Sequence, residues 1–386
     1  MKKVLLTVLG ILAALGIILF GGIYLGHKVF FKVPYLAEPS ISAVSNDDMS
    51  FGNRYYTPTI EEYLDLLAKQ LVHYNEIAPT LWPDNPLVNQ SLYVEDIDSG
   101  KFWKIDPAGN ITDATKDEIR NLGMYPNGQF NGHDFYKDGA YLSVSEADLS
   151  NYALYQKYLH LGSYDAFITF VHEGFHATVQ PGWTGDSDLA NKGRDEFKES
   201  TEARAKRMIL QEQLLQAVSQ PGDSDLILAA LSTYEDYKTS FPEDYKNSIL
   251  GDRSEGTAYY YELISCLYTS YPDQVNDKDS LDKALALLAT RPDEYTDIGL
   301  VAEGYHVGAY AAILLDRLNV DWKKDFESNP TATPIELLSQ HFSSEKLPSP
   351  QQVTPSDIDA IKVAIKKADD EASPAFLFRF LYTLFF

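Results

Sequence analysis

The sequence predicts an α+β fold, mostly α, carried behind a single transmembrane helix. Three observations lead there. An apolar run from Val4 to Leu25 has about the length needed to cross a bilayer as a helix. Short strand-like segments bounded by Gly- and Asn-rich turns lie between Ser91 and Val144. Beyond Leu149 the apolar residues recur almost throughout at helical spacing.

In chain order, residues 1–32 read as an uncleaved signal anchor: Lys2 and Lys3 precede the apolar run, and His27, Lys28 and Lys32 follow it. The run is longer than a usual signal-peptide core and lacks a clean small-residue cleavage site. The charge bias predicts a single-pass membrane protein with its acidic bulk outside the cytoplasm; secretion after signal cleavage is the alternative. Residues 33–50, with Pro34 and Pro39, read as a linker. Residues 51–386 form the expected domain, with 51–150 mixed α/β and 151–386 helical. Within it, Ile60, Tyr63, Leu64, Leu67 and Leu71 predict a helix over 59–77. Residues 91–94, 102–105 and 140–144 are the expected strands. Helices are expected near 151–160, 164–179, 194–219, 223–239, 254–270, 279–290, 299–318, 334–342 and 355–370. The aromatic stretch 375–386 is too short to span a bilayer and is expected to pack on the domain or touch a membrane surface.

Thirty-two basic against 56 acidic residues give a net charge of −24, which argues against a nucleic-acid partner. The single cysteine, Cys266, excludes an internal disulfide framework and a cysteine-ligated metal site.

His172-Glu173-Gly174-Phe175-His176 carries the chemistry. Histidines at i and i+4 share a helix face, so both imidazoles reach one Zn²⁺, and Glu173 between them is placed as general base toward a water. The flanks, Phe167 to Val171 and Ala177 to Val179, hold neither proline nor charge, which describes a buried helix. A polar triplet there needs a compensating partner. No third histidine follows closely, so the remaining ligand is a carboxylate from a later helix. Glu255 opens an almost wholly apolar and aromatic helix; Glu202 opens an earlier one, with Glu199 a weaker choice beside it.

The motif set resembles the HExxH zinc metallopeptidases of the gluzincin type. Glu255-Gly256-Thr257-Ala258-Tyr259-Tyr260 is similar to the EGxAxY segment that supplies the zinc-binding glutamate in gluzincin aminopeptidases. Glu202-Ala203-Arg204-Ala205 is similar to the E-x-R-A segment of dipeptidyl-peptidase-III-like enzymes. The resemblance implies a zincin-like helical catalytic domain. Glu255 is the preferred third ligand and Glu202 the alternative, with the other glutamate holding a histidine Nδ1–H. It also implies that Tyr305 or His306, at the start of an apolar helix, stabilises the oxyanion of a tetrahedral intermediate. The expected protein is a membrane-anchored zinc peptidase acting on a peptide or protein. Its rival is a non-catalytic envelope binding or scaffold protein on a degenerate or unrelated helical domain.

Overall fold

The computed structural model describes residues 59–128, 132–136, 139–145, 149, 165–183, 200–270, 275, 278–288, 300–326, 328–329 and 332–366. The first helix, α1 (Ile60–Leu81), starts at a capping box: Thr59 accepts from the Glu62 backbone N–H while the Glu62 carboxylate accepts from that of Thr59. Its buried face, including Tyr63, Leu67, Leu71 and Tyr74, enters the main core.

A five-stranded mixed sheet follows, built from β1 (Ser91–Asp96), β2 (Lys101–Ile105), β3 (Ile111–Ala114), β4 (His133–Tyr136) and β5 (Gly139–Val144), with a short helix α2 (Lys116–Asn121) between β3 and β4. The order is β3-β2-β1-β5-β4; β1 and β5 run parallel, and every other pair is antiparallel. β5 is buried along its whole length and β4 forms one edge. β3 and β4 were not expected from the sequence. Ile-Thr-Asp-Ala and His-Asp-Phe-Tyr are too short and too polar to show a strand period, and their neighbours' ladders define them.

The rest is helical. α3 (Asp165–Thr178) packs against β4 and β5. Next come α4 (Thr201–Ser219), α5 (Ser224–Ser240) and α6 (Pro242–Leu250), a π turn (Gly251–Glu255), and α7 (Gly256–Ser270). α8 (Lys278–Leu288), α9 (Leu300–Arg317), α10 (Lys323–Phe326) and α11 (Pro334–His341) follow, and residues 355–366 form α12. α6 was not expected: Phe241-Pro242 reads as a break, but proline at the first helical position gives up no needed N–H. The expected helix over 254–270 begins inside the π turn.

Two features fix the segment that carries Glu255. α9 lies so close that a Cβ on Gly304 would stand 2.3 Å from the Gly251 carbonyl carbon, and one on Gly256 would stand 2.5 Å from Gly308 Cα. Only glycine permits that approach. A buried ionic network lies alongside. Arg207 makes a bidentate pair with Asp252 (2.5 and 2.8 Å) and reaches Glu303 at 3.3 Å. Arg204 donates to Glu303 at 2.7 Å and to Asp244, which also accepts from the Tyr237 hydroxyl. α4, α6, the π turn and α9 are thereby tied together.

The expectation of a transmembrane helix, and with it the single-pass membrane placement, requires correction. Among the described residues no helix is long and apolar enough to cross a membrane. The longest helix, α1, is amphipathic: it carries Glu61, Glu62, Asp65, Lys69 and Glu76 around a buried stripe, as a core-packing helix does. The segment Val4–Leu25, the linker 33–50, the expected helix 151–160, Glu199 and the stretch 375–386 lie outside the described residues.

Candidate metal centre

The HEGFH segment lies on α3 with its two faces differently engaged. Phe175 is fully buried; its ring meets Trp82 edge-on at 4.9 Å and stacks on Tyr261 at 4.9 Å. Gly174 faces Leu87 and the sheet, where a Cβ would come within 2.7 Å of Leu87 Cδ2 and 3.0 Å of Phe135 Cε1. The absence of a side chain there lets α3 settle onto β4.

On the opposite face the histidines converge. His172 Nε2 and His176 Nε2 are 3.2 Å apart, and Glu255 Oε2 lies 3.2 Å from His176 Nε2 and 3.6 Å from His172 Nε2. Glu255 ends the π turn, a helix irregularity that recurs at functional sites. Glu202, by contrast, is exposed at the start of α4, outside the cluster of three donors, and lines a surface groove with Lys206 and Asp236. The arginine of its segment, Arg204, belongs to the buried ionic network.

The outer nitrogens of both rings are committed. His172 Nδ1 meets Glu262 Oε2 at 3.0 Å, and a carboxylate can only accept, so this nitrogen carries the hydrogen. His176 Nδ1 meets Gln180 Oε1 at 2.7 Å. The Gln180 amide is held in that orientation because its nitrogen donates to the Ser254 carbonyl at 2.8 Å while its oxygen also accepts from Ser254 Oγ at 2.7 Å. Neither Glu262 nor Gln180 was among the expected site residues, although each had a signal. Gln180 continues the i, i+4 spacing of the histidines, and Glu262 repeats on the face of Glu255 two helical turns later.

Both Nε2 atoms and the Glu255 carboxylate point to one spot, where a cation would displace the proton that the contacts among them share and leave neutral rings with Nδ1–H. Such a point attracts a cation. Burial works against a charged His172, but the Glu255 and Glu262 carboxylates outweigh it and push its pKa up to about 10. Burial likewise opposes a charged Glu255, yet hydrogen bonds from His172, His176 and Tyr305 hold it well below the usual carboxylate range.

Tyr305 and His306, adjacent on α9, diverge. The Tyr305 ring stacks on His172 with centroids 5.5 Å apart and planes within 4°. Burial, followed by the charge and hydrogen bond of Glu255, pushes its hydroxyl pKa well above the ordinary value, so it stays a donor. His306 is buried between Tyr259 and Tyr310, at 5.3 and 5.4 Å. Glu173, 38 % exposed, faces His133 of β4 rather than the core.

Comparisons with protein families, with curated proteins and with solved structures found no match to this chain.

Proposed function

We propose that this chain is a zinc-dependent hydrolase of the gluzincin type that cleaves peptide bonds, with His172, His176 and Glu255 holding the metal. One observation carries the reading: the spacing of the three donor atoms. Ligands at about 2.0–2.1 Å around a tetrahedral Zn²⁺ stand about 3.3–3.4 Å from one another. The separations here are 3.2, 3.2 and 3.6 Å. The donor set suits zinc chemically, and Glu262 and Gln180 orient the two rings as partners of metal-bound histidines do.

A zinc ion bound there would supply Lewis acidity, polarising a scissile carbonyl and acidifying a water. The chain's own groups supply the remainder. Glu173 takes a proton from the attacking water and delivers it to the leaving amine nitrogen. Tyr305, held protonated above His172, donates to the carbonyl oxygen as negative charge develops on it. His306, packed between two tyrosines, acts by supporting α9.

A peptide is favoured as substrate because β4, the edge strand, lies beside Glu173, and an edge strand offers backbone groups to an extended chain. The decisive experiment measures zinc content and turnover of a mixed peptide library by the wild type, His172→Ala and Glu173→Gln. Near-stoichiometric zinc with turnover in wild type, zinc without turnover in Glu173→Gln, and neither in His172→Ala is the expected pattern. Folded wild type that takes up no zinc on reconstitution would overturn the reading and favour a binding protein.

A further inference from the structure

The mechanism above leaves one polar group at the site without a task. His133 opens β4 on the opposite wall from α3, and its Nε2 lies 3.6 Å from Glu173 Oε2. Both side chains are more than a third exposed, at 37 % and 38 %, so the pair is open to solvent.

The placement is built rather than incidental. Side chains two apart share one face of a strand, so His133 and Phe135 both turn toward α3. Phe135 covers Gly174, where a Cβ would meet its ring at 3.0 Å, and it packs 6.4 Å from the Phe170 ring. That contact sets how β4 lies along α3. It aligns His133 with the residue before Gly174, which is Glu173, and the His133 and Phe135 rings stand 6.2 Å apart along the strand. Antiparallel pairing with β5, His133 opposite Leu142 and Phe135 opposite Ala140, anchors the strand in that register.

We infer that His133 is a positioning residue for the general base: its imidazole holds the Glu173 carboxylate in the orientation that receives and returns a proton. The inference rests on the hydrolase reading of the preceding section. In the step it serves, a water O–H bond breaks and its proton passes to Glu173 while the water oxygen bonds to the carbonyl carbon. The C–N bond then breaks as that proton moves from Glu173 to the amine nitrogen. His133 neither gains nor loses a proton; its 3.6 Å contact, longer than a formed hydrogen bond, shortens in the substrate complex, so that one carboxylate oxygen is held and the other faces the reaction. A freely rotating carboxylate would spend much of its time misaligned, and precise placement accounts for large factors in rate.

The test compares His133→Ala and His133→Gln with wild type in zinc content, thermal midpoint, kcat and KM. Zinc and midpoint are expected to stay at wild-type values, and KM within about twofold, while kcat falls about 10- to 100-fold in the alanine variant. The glutamine variant, which retains an amide donor of similar reach, should recover most of that loss. In a Glu173→Asp background, whose shorter carboxylate is already out of register, His133→Ala should cost little more. Independently of turnover, the imidazole ¹⁵N resonances of His133 in chelator-treated protein should shift on Glu173→Gln. Unchanged kcat in His133→Ala, with an active wild type, would overturn the inference alone. So would a parallel fall in kcat and midpoint that glutamine fails to rescue. Zinc-loaded wild type without turnover would overturn the hydrolase reading and this inference with it.

Discussion

Glu262 Oε2 stands 3.0 Å from His172 Nδ1, two helical turns beyond Glu255 on the same rod of helix. One rod therefore addresses both ends of the same imidazole: Glu255 at Nε2 and Glu262 at Nδ1. Glu262→Ala and Gln180→Ala remove the groups that fix the two ring tautomers without removing a donor atom. Each is expected to weaken zinc binding by about 10- to 100-fold while leaving the fold intact. Competition against a chromophoric chelator measures the shift, and unaltered affinity in both variants would contradict the role assigned to them.

The choice between the two candidate third ligands is decided by a paired substitution. Glu255→Ala should abolish stoichiometric zinc. Glu202→Ala, at an exposed position at the start of α4, should leave metal content unchanged and stability within about 0.5 kcal/mol of wild type. Elemental analysis of the two purified proteins distinguishes them.

Chelator-treated protein should lose stability as the medium turns alkaline. Burial disfavours charge on His172, but Glu255 and Glu262 raise its folded pKa to about 10, against an ordinary 6.5. A raised histidine contributes fully below about 6.5, and that contribution disappears as pH climbs toward 10. Glu255 behaves oppositely: its lowered pKa contributes above about 4.5 and is lost in acid. The cluster thus supports the fold best between about pH 4.5 and 6.5. Urea midpoints at pH 6 and pH 9.5 should differ accordingly, and His172→Gln should flatten the alkaline part of the difference.

The close approach of α9 to the π turn predicts a sharp intolerance. Gly304→Ala places a methyl 2.3 Å from one backbone atom of Gly251 and 2.6 Å from another, with no flexible side chain to yield. Its cost should be about 3 kcal/mol or more. Asp252→Ala leaves the fully buried Arg207 with Glu303 as its remaining carboxylate partner and should cost about 3–5 kcal/mol. Thermal melts of both variants give the measurement. A loss under 1 kcal/mol in Gly304→Ala would show that α9 shifts more freely than its contacts imply, and one in Asp252→Ala that Glu303 alone satisfies Arg207.

How much of this was legible in the sequence follows from the range of each interaction. His172 and His176 announce themselves because their geometry is set by one turn of helix. Glu255 could be proposed because a carboxylate is conspicuous at the head of an apolar helix. It could be preferred to Glu202 only by resemblance, since both open helices and only packing brings one of them to 3.2 Å from His176. Local spacing also held the signal for Gln180. His133 was invisible: its position opposite Glu173 depends on strand pairing and on Phe135 resting over Gly174, neither of which leaves a periodic trace. The strands β3 and β4 escaped notice for a related reason, being defined by their neighbours' ladders. The π turn carries no residue pattern that separates it from ordinary helix.

The helix that follows that turn is sensitive to length in a way the turn is not. From Pro242 to Ser270 the backbone is a continuous rod interrupted only at Gly251–Glu255, where one surplus residue is wound in. Upstream of it Asp244 faces Arg204, and downstream Glu262 faces a histidine. Deleting a residue of the turn would remove only that surplus and leave regular helix, whereas deleting one from the regular helix beyond it, between Gly256 and Glu262, would rotate everything after it by about 100°. Glu262 would swing away from His172 while Asp244 kept its partner. Substitutions in this stretch are graded in effect; a one-residue change of frame along the helix separates the ionic half of the rod from the half that meets the histidines.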